Sequence, residues 1–523
     1  MILEGESGAI SARHHQQGNG NNPMKSMKFR NVIGRFLAIA LAALLLGPVV
    51  LGPAIASAQL TEDQVPDDGV DGGEDGGDGG DGGDGDGGDG GPLGADNAGG
   101  VEIDANGVLS LRTIPQNIHQ LNRQRAAAAK ASLNRDLATP SKMRKVSLNR
   151  LEAEIKKLKE AGQKIPDDMH YLAGMTRITH VFFYPETKDI VIAGPAEGFF
   201  KSADNRVLGV NSGASTLKLK DLVVALRAFG PDGARARVIS CSIDPTQAGL
   251  ATLKKVQPEV FRNFRPGNEL QVVQAFQQAL GMQDITIQGV SPNTGFARVM
   301  VEADYQMKLI GIGLQDTPVG IVRFIDRAKA SDGGSGSLQR WYFQPNYECV
   351  HVNQDETAME LVGSGVKLVG ANESIANNGG RNSNQKVGRA SQNFCTSFTK
   401  KYNQLAAQVP LFAELRNCID MSIAAAFIQE MDFYGQANWE MGLFGNEKGY
   451  RVETLNAPTQ VAPAINAVWK GQTFMTPIGG GVAIQARQAI RSDNMVVDEK
   501  GKIDEAMAKH KIGEIGEGQW WWD

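Results

Sequence analysis

The chain has 523 residues, more than one hydrophobic core usually serves, so several folded units and linkers are the starting expectation. Hydrophobic residues make up 41% of it, which excludes a chain too poor in apolar side chains to build cores. The formal net charge of −5 hides three blocks: residues 59–100 hold 13 acids and no Lys or Arg, 112–164 hold 13 bases against 4 acids, and 165–523 hold 35 bases and 37 acids.

Residues 24–58 have the order of a secretory signal peptide. A basic head with Lys25, Lys28, Arg30 and Arg35 precedes the apolar run FLAIALAALLLGPVVL, and Ala56-Ser57-Ala58 leads to Gln59. The first 23 residues fit no part of that pattern and are read as the result of a start codon placed too early. An uncleaved anchor is the alternative, since the run and its flank reach across a bilayer core of about 30 Å. Gly47-Pro48 and Gly52-Pro53 interrupt the run and favour cleavage. No later stretch is long and apolar enough to span, so an exported protein of the periplasm, cell envelope or medium, without a transmembrane helix after cleavage, is expected. Export admits disulfides. Cys241, Cys349, Cys395 and Cys418 have the spacing of neither a zinc ribbon nor a dense disulfide scaffold, and both one long-range bridge and buried free thiols fit.

Within the linker 59–100, the run DGGEDGGDGGDGGDGDGGDGG (71–91) contains no apolar side chain. Calcium-binding glycine-aspartate repeats need an apolar residue in each nonapeptide to fill a β-roll. With nothing to bury, the tract is expected to be a disordered, self-repelling tether, with at most loose counter-ion binding. The basic helical segment 101–166 follows, with helices expected over about 115–136 and 142–161 joined through LATPSK. In the second, Leu148, Leu151, Ile155 and Leu158 recur at helical spacing, Ser141 is a plausible N-cap, and Gly162 ends the run. The bases of 112–164 suit an anionic envelope component, the acidic tether, or a solvated face of a docked hairpin. Nucleic acid is not expected, because no reading motif accompanies the charge.

From 167 to 330 the chain reads as an α+β subdomain. HVFFYPETKDIVIAGPAEGFF gives strand, turn and strand, and LKLKDLVVALRAFGP a short helix stopped by Gly230-Pro231. RARVISCSI is a strand running into Asp244-Pro245-Thr246-Gln247, where Asp244 is expected to cap a helix, with Pro245 in its first turn. A helix over about 269–280 starts at Asn268 and stops at Gly281, and DITIQGVSPNTGFARVMVE is expected to form two strands. SDGGSGS (331–337) is the boundary to a second α+β subdomain, 338–495, with strands in RWYFQPNYECVHV and AMELVGSGVKLVG. Helices of about 391–408 and 411–431 are divided by Pro410, and the second, apolar almost all round after Cys418, is the expected central helix. A hairpin-like stretch around TPIGGGVAIQAR and a charged tail, 496–523, ending in Trp520, Trp521 and Trp522 complete the chain. The tryptophans are expected to dock on the body rather than form an exposed handle.

Four residues are weak catalytic candidates. Cys349 and His351 stand two apart on an expected strand and so share a face, as a nucleophile–base pair would. Asp304 and Lys308 flank Tyr305 just after an expected strand. Ser397-Phe-Thr-Lys400 and Ser364-Gly-Val-Lys367 match S-x-x-K, and Ser492-Asp493-Asn494 matches S-D-N, yet no K-T-G follows. IGIGLQD and PIGGGVAI lack the full spacing of nucleotide loops, and G-x-S-x-G and H-E-x-x-H are missing. No cofactor and no metal are expected.

The runs DIVIAGPAEG, ADYQMK, YFQPNYECV, GVKLVG, SFTKKY and TPIGGGV, in that order across roughly 170–490, resemble a family of secreted planctomycete proteins built around a domain of unknown function. The resemblance implies one folded body behind a signal peptide and brings no catalytic residues. The overall expectation is an α+β fold of mixed antiparallel sheets and helices in one or two subdomains. Its role is expected to be non-enzymatic binding or structure, with a hydrolase of envelope or polysaccharide material as the alternative.

Overall fold

Two sheets organise the chain, and each is assembled from strands far apart in sequence. The computed structural model describes residues 100–112, 117–329, 337–346, 349–376, 378, 381–385, 387–469, 473–474, 478–508 and 515–523. The expected signal peptide and residues 59–99 of the acidic linker lie outside the described residues. The larger sheet has nine strands in the order Val101–Ile103, Val108–Leu111, Gln460–Val461, Gln283–Gln288, Ile239–Pro245, Ile478–Ile484, Ser337–Pro345, Val366–Ile375 and Arg381–Gln385. The smaller has seven: Val496–Val497, Val350–Val352, Ala358–Leu361, His180–Tyr184, Asp189–Ala196, Ser141–Ser147 and Trp521–Trp522. Most neighbours are antiparallel, while Ile478–Ile484 runs parallel to Ser337–Pro345 and antiparallel to Ile239–Pro245. The class is therefore mixed α+β, as expected.

The principal helices are α1 (Ile118–Ser132), α2 (Leu148–Glu160), α3 (Leu219–Ala228), α4 (Gln247–Asn263), α5 (Glu269–Leu280), α6 (Gly295–Ile312), α7 (Phe324–Arg327), α8 (Arg389–Gln408) and α9 (Pro410–Glu430). Helix α9 starts with Pro410 in its first turn and is buried on nearly every side from Leu411 to Ile428, so it has no polar face to give to water. It packs on α3, α6 and α8. Helix α6 is equally enclosed and lies against strands Ile239–Pro245 and Ile478–Ile484. A separate small core forms where Leu250, Leu253, Phe264, Val272 and Phe276 of the α4–α5 pair meet.

Ile478–Ile484 enters the sheet centre through glycine. A Cβ on Gly480 would lie 1.9 Å from the Trp341 carbonyl oxygen, and its φ of +144° is one that L side chains rarely adopt. This stretch is one strand between two others, where a hairpin was expected.

Several expectations are corrected. Residues 141–147 form a strand rather than the start of a helix, and the cap of α2 is Ser147, whose Oγ accepts from Arg150 N at 3.4 Å. The misreading has a physical origin: Arg144 and Lys145 look like a solvated helical face, yet both are 0% exposed. The apolar stripe of α2 and the left-handed Gly162 beyond it are as expected. Asp244 and Pro245 end a strand, and Thr246 caps α4 by accepting from Gly249 N at 2.9 Å. GFARVMVE belongs to α6, capped by Thr294 through Ala297 N at 3.2 Å. Its enclosure on all sides removes the amphipathic period that marks a helix in sequence. Strands from both sides of 331–337 share both sheets, so that segment does not separate two subdomains. Likewise 101–166 contains three strands as well as helices.

Candidate functional site

Asp304 and Lys308 sit one turn apart in α6, inside the protein. Lys308 Nζ donates to Asp304 Oδ2 at 2.8 Å and to the Ile243 carbonyl at 3.0 Å, which ties α6 to the neighbouring strand. Burial pushes the Asp304 carboxyl up to about 6, against the pull of the Lys308 ammonium. Tyr305 is buried beside them at 1% exposure. Cys349 precedes the strand that carries His351, and burial, with Asp420 close by, pushes its thiol up to about 12. Such a thiol is not a thiolate nucleophile at neutral pH. Cys349 and His351 lie near the edge of the smaller sheet, whereas Asp304 and Lys308 brace α6 on the larger one, so the structure does not bring the four candidates together. All four cysteines are buried free thiols. IGIGLQD is the end of α6, with Gly313 as its left-handed C-cap.

The sequence reading missed the main buried charge network. Arg206, 4% exposed, pairs with Glu302 at 2.6 Å and with Glu414, whose other oxygen accepts from Lys218 Nζ at 2.8 Å. Glu302 Oε1 also accepts from Gly100 N at 2.9 Å and from Gln306 Nε2 at 3.1 Å. The network bolts α6 to α9 and to the segment before α3. One signal was available: Glu302 in VMVEA and Glu414 in LFAEL follow apolar runs directly, and a buried acid needs a cation. A second network joins Arg340 to Asp244 at 2.9 Å and to Glu373 at 3.3 Å.

Of the thirteen cations of 112–164, Arg144 and Lys145 are buried and Arg112 and Arg150 half-buried, while the other nine are exposed. Arg144 donates to the carbonyls of Leu137, Ala173, Asp136 and Thr139 at 2.8–3.2 Å and grips both Asp523 carboxylate oxygens at 2.9 Å. Its guanidinium lies 4.5 Å from the Trp521 ring centroid. Trp521–Trp522 pairs with Ser141–Ser147, so the tryptophans dock as expected. Arg150 clasps Asp189 at 2.7 Å, Lys157 bonds Glu154 at 2.7 Å, and Lys159 donates to the Gly449 carbonyl at 2.6 Å.

A different face carries cations turned outward. Val322, Arg327, Asn393, Thr396, Ser397, Lys400 and Lys401 line a hollow of about 350 Å³ between α7 and α8. Five of these residues lie on one face of α8 because their spacing follows the helical period, 393, 396, 397, 400 and 401. Val322 N donates to Ser397 Oγ at 3.0 Å, and Lys401 Nζ donates to the Gly320 carbonyl at 2.5 Å, which fixes the segment before α7 against α8. The floor is rigid: Phe324 meets Trp341 edge-on at 5.3 Å, Trp341 meets Phe394 at 4.6 Å, and Trp341 Nε1 donates to Ser391 Oγ at 2.7 Å. Among the described residues, three cations and no carboxylate line the hollow. The nearest acid in sequence, Asp326, is held by Arg323 at 2.9 Å. Concave walls of one charge sign concentrate counter-ions. Ser397 accepts from Val322 and still carries a hydroxyl proton to donate. The hollow thus offers Arg, Lys, amide and hydroxyl donors to anionic oxygens.

Among the described residues, no group of three or more His, Cys, Asp or Glu is placed to hold a metal ion. No helix among them is long and apolar enough to cross a membrane.

Fold and hollow together define an α+β protein with an outward cationic face. Residues 241–324, from strand Ile239–Pro245 to the start of α7, carry a domain whose family is described as Protein of unknown function (DUF1598). Of the six runs noted above, ADYQMK falls within these residues. No curated protein and no solved structure matches the chain.

Proposed function

We propose that this is an exported, non-enzymatic binding protein of the periplasm or cell envelope, and that it holds anionic groups of its ligand in the α7–α8 hollow. The observation that carries the proposal is the lining itself, in which Arg327, Lys400 and Lys401 face a shared space with no carboxylate among the described residues. Phosphate, sulfate and carboxylate groups all match donors of this kind. Export is supported by the basic head, apolar run and small-residue exit of 24–58. The exposed bases of 112–164 add a second surface for an anionic envelope partner, although Arg144, Lys145 and Arg150 are drawn into the body.

Titration of the full chain with a fluorescent sulfated oligosaccharide tests this. Saturable binding that weakens as salt rises, and that falls about tenfold in the double variant Arg327→Glu, Lys400→Glu, is the expected result. Equal binding by the double variant would remove the hollow as the site. A hydrolase is the second reading, because Ser397 and Lys400 of an S-x-x-K run share the hollow. Against it, Ser397 Oγ already accepts from Val322 N and Lys400 is exposed, so neither is set up as an activated nucleophile–base pair. Ester turnover abolished by Ser397→Ala would favour the hydrolase.

A further inference from the structure

The occupant that the chain itself supplies is its acidic tract. We propose that the carboxylates of Asp71–Gly91 dock in the α7–α8 hollow of the same chain and compete there with an external anionic ligand. The inference rests on the hollow being an anion site.

Charge complementarity is the first support. The tract carries Asp71, Glu74, Asp75, Asp78, Asp81, Asp84, Asp86 and Asp89 with no base among them, and the hollow carries three cations with no acid. Its ligand groups are the carboxylates that Arg and Lys bind through charge-assisted hydrogen bonds.

Reach is the second. The described chain resumes at Gly100, whose N–H is fixed on Glu302 in α6 at 2.9 Å. From there a continuous set of contacts leads to the hollow. Gln306 shares that Glu302 oxygen, Gln315 Nε2 donates to Gln306 Oε1 at 3.1 Å, and Asp316, the next residue, pairs with Arg323 at 3.3 Å. Arg327 lies one helical turn beyond Arg323. Followed residue by residue, this path is no longer than about 50 Å. Sixteen residue steps separate Asp84 from Gly100. A glycine-rich chain of that length has a root-mean-square span of about 22 Å and a limit of about 55 Å. The tether is therefore neither too short nor so long that the local concentration is wasted, and millimolar effective concentration follows.

Exchange is the consequence of composition. Glycine loses the most backbone freedom when it is ordered, so each docked carboxylate is held weakly. The recurring acids present the hollow with equivalent partners that replace one another.

Two measurements on the full chain test this. In the first, zero-length carbodiimide cross-links are mapped by mass spectrometry on dilute, monomeric protein. Links from Lys400 or Lys401 to acids of Asp71–Gly91 are expected. Their absence, or their occurrence in dimers alone, overturns the proposal, the latter assigning the occupant to a second copy. In the second, binding of the sulfated oligosaccharide is compared with a variant in which the eight acids are replaced by Asn or Gln. Five- to fiftyfold tighter binding by the variant is expected, with a synthetic peptide of residues 71–91 restoring the weaker affinity at millimolar concentration. Equal affinity, together with a loss on Arg327→Glu, Lys400→Glu, overturns self-docking and leaves the anion site standing. No binding to any of these forms removes the anion site, and self-docking with it.

Discussion

Residues 112–164 hold the densest positive charge in the sequence, whereas the α7–α8 face contributes three cations to its hollow. The dense block draws Arg144, Lys145 and Arg150 into the body and spreads its exposed cations over separate elements, while the sparse one gathers its three around one hollow. Charge density along a chain and charge available to a partner are thus different quantities. Carboxylates and carbonyls reached from distant segments decide between them, and Asp523, Ala173 and Asp189 do so here.

The difference can be broken experimentally, most sharply where charge is buried. Arg144→Ala would leave several carbonyls and the Asp523 carboxylate without their donor, and should lower unfolding free energy by about 3–5 kcal/mol. A loss under about 1 kcal/mol in urea titration would mean that this arginine is not a structural bolt. Glu302→Ala should follow, at about 2 kcal/mol by the same assay, since it takes one of the carboxylates from Arg206 and the acceptor from the Gly100 N–H.

Lys145 should move in the opposite direction. Its ammonium is buried with no hydrogen-bond partner, and burial lowers it to about 8 although Asp523 opposes the shift. The folded state therefore binds this proton less readily than the unfolded chain does. The resulting penalty is complete below pH 8 and disappears as pH rises toward the unfolded value of 10.5. Lys145→Met should stabilise the protein at pH 7 by about 2 kcal/mol and flatten the gain in stability between pH 8 and 10. Thermal melts across that range measure both. Lys400→Ala should be the mildest for stability, within about 0.5 kcal/mol, while oligosaccharide affinity falls two- to fivefold. A large drop in melting temperature would show that the hollow holds the fold together as well.

How much of this was legible follows from where the signals lie. Asn268 and Gly281 bracket α5 as written, and the run after Cys418, apolar but for Asp420 and Ser422, announces the enclosed α9. Local chemistry sets those features. Strand Ser141–Ser147 was hidden because the burial of its Arg144 depends on Asp523, 379 positions away in sequence. Helix α6 was hidden for the reverse reason, since a helix surrounded by protein shows no period against which to call it. Among the catalytic candidates, the i,i+4 spacing of Asp304 and Lys308 did correspond to a contact, but one that braces the helix against Ile243. The hollow was half visible. S-x-x-K drew attention to Ser397 and Lys400, whereas Arg327 and Gly320 reach them through the tertiary fold.

The insertion of Ile478–Ile484 between Ile239–Pro245 and Ser337–Pro345 also constrains how the protein is made. On the ribosome or during passage through a translocon, both flanking strands emerge long before the one that separates them. Each therefore waits with an unzipped edge for more than a hundred residues of further synthesis. Nascent chains that stop short of Gly480 should consequently be clients for chaperones that shield bare strand edges, and maturation should be late and slow.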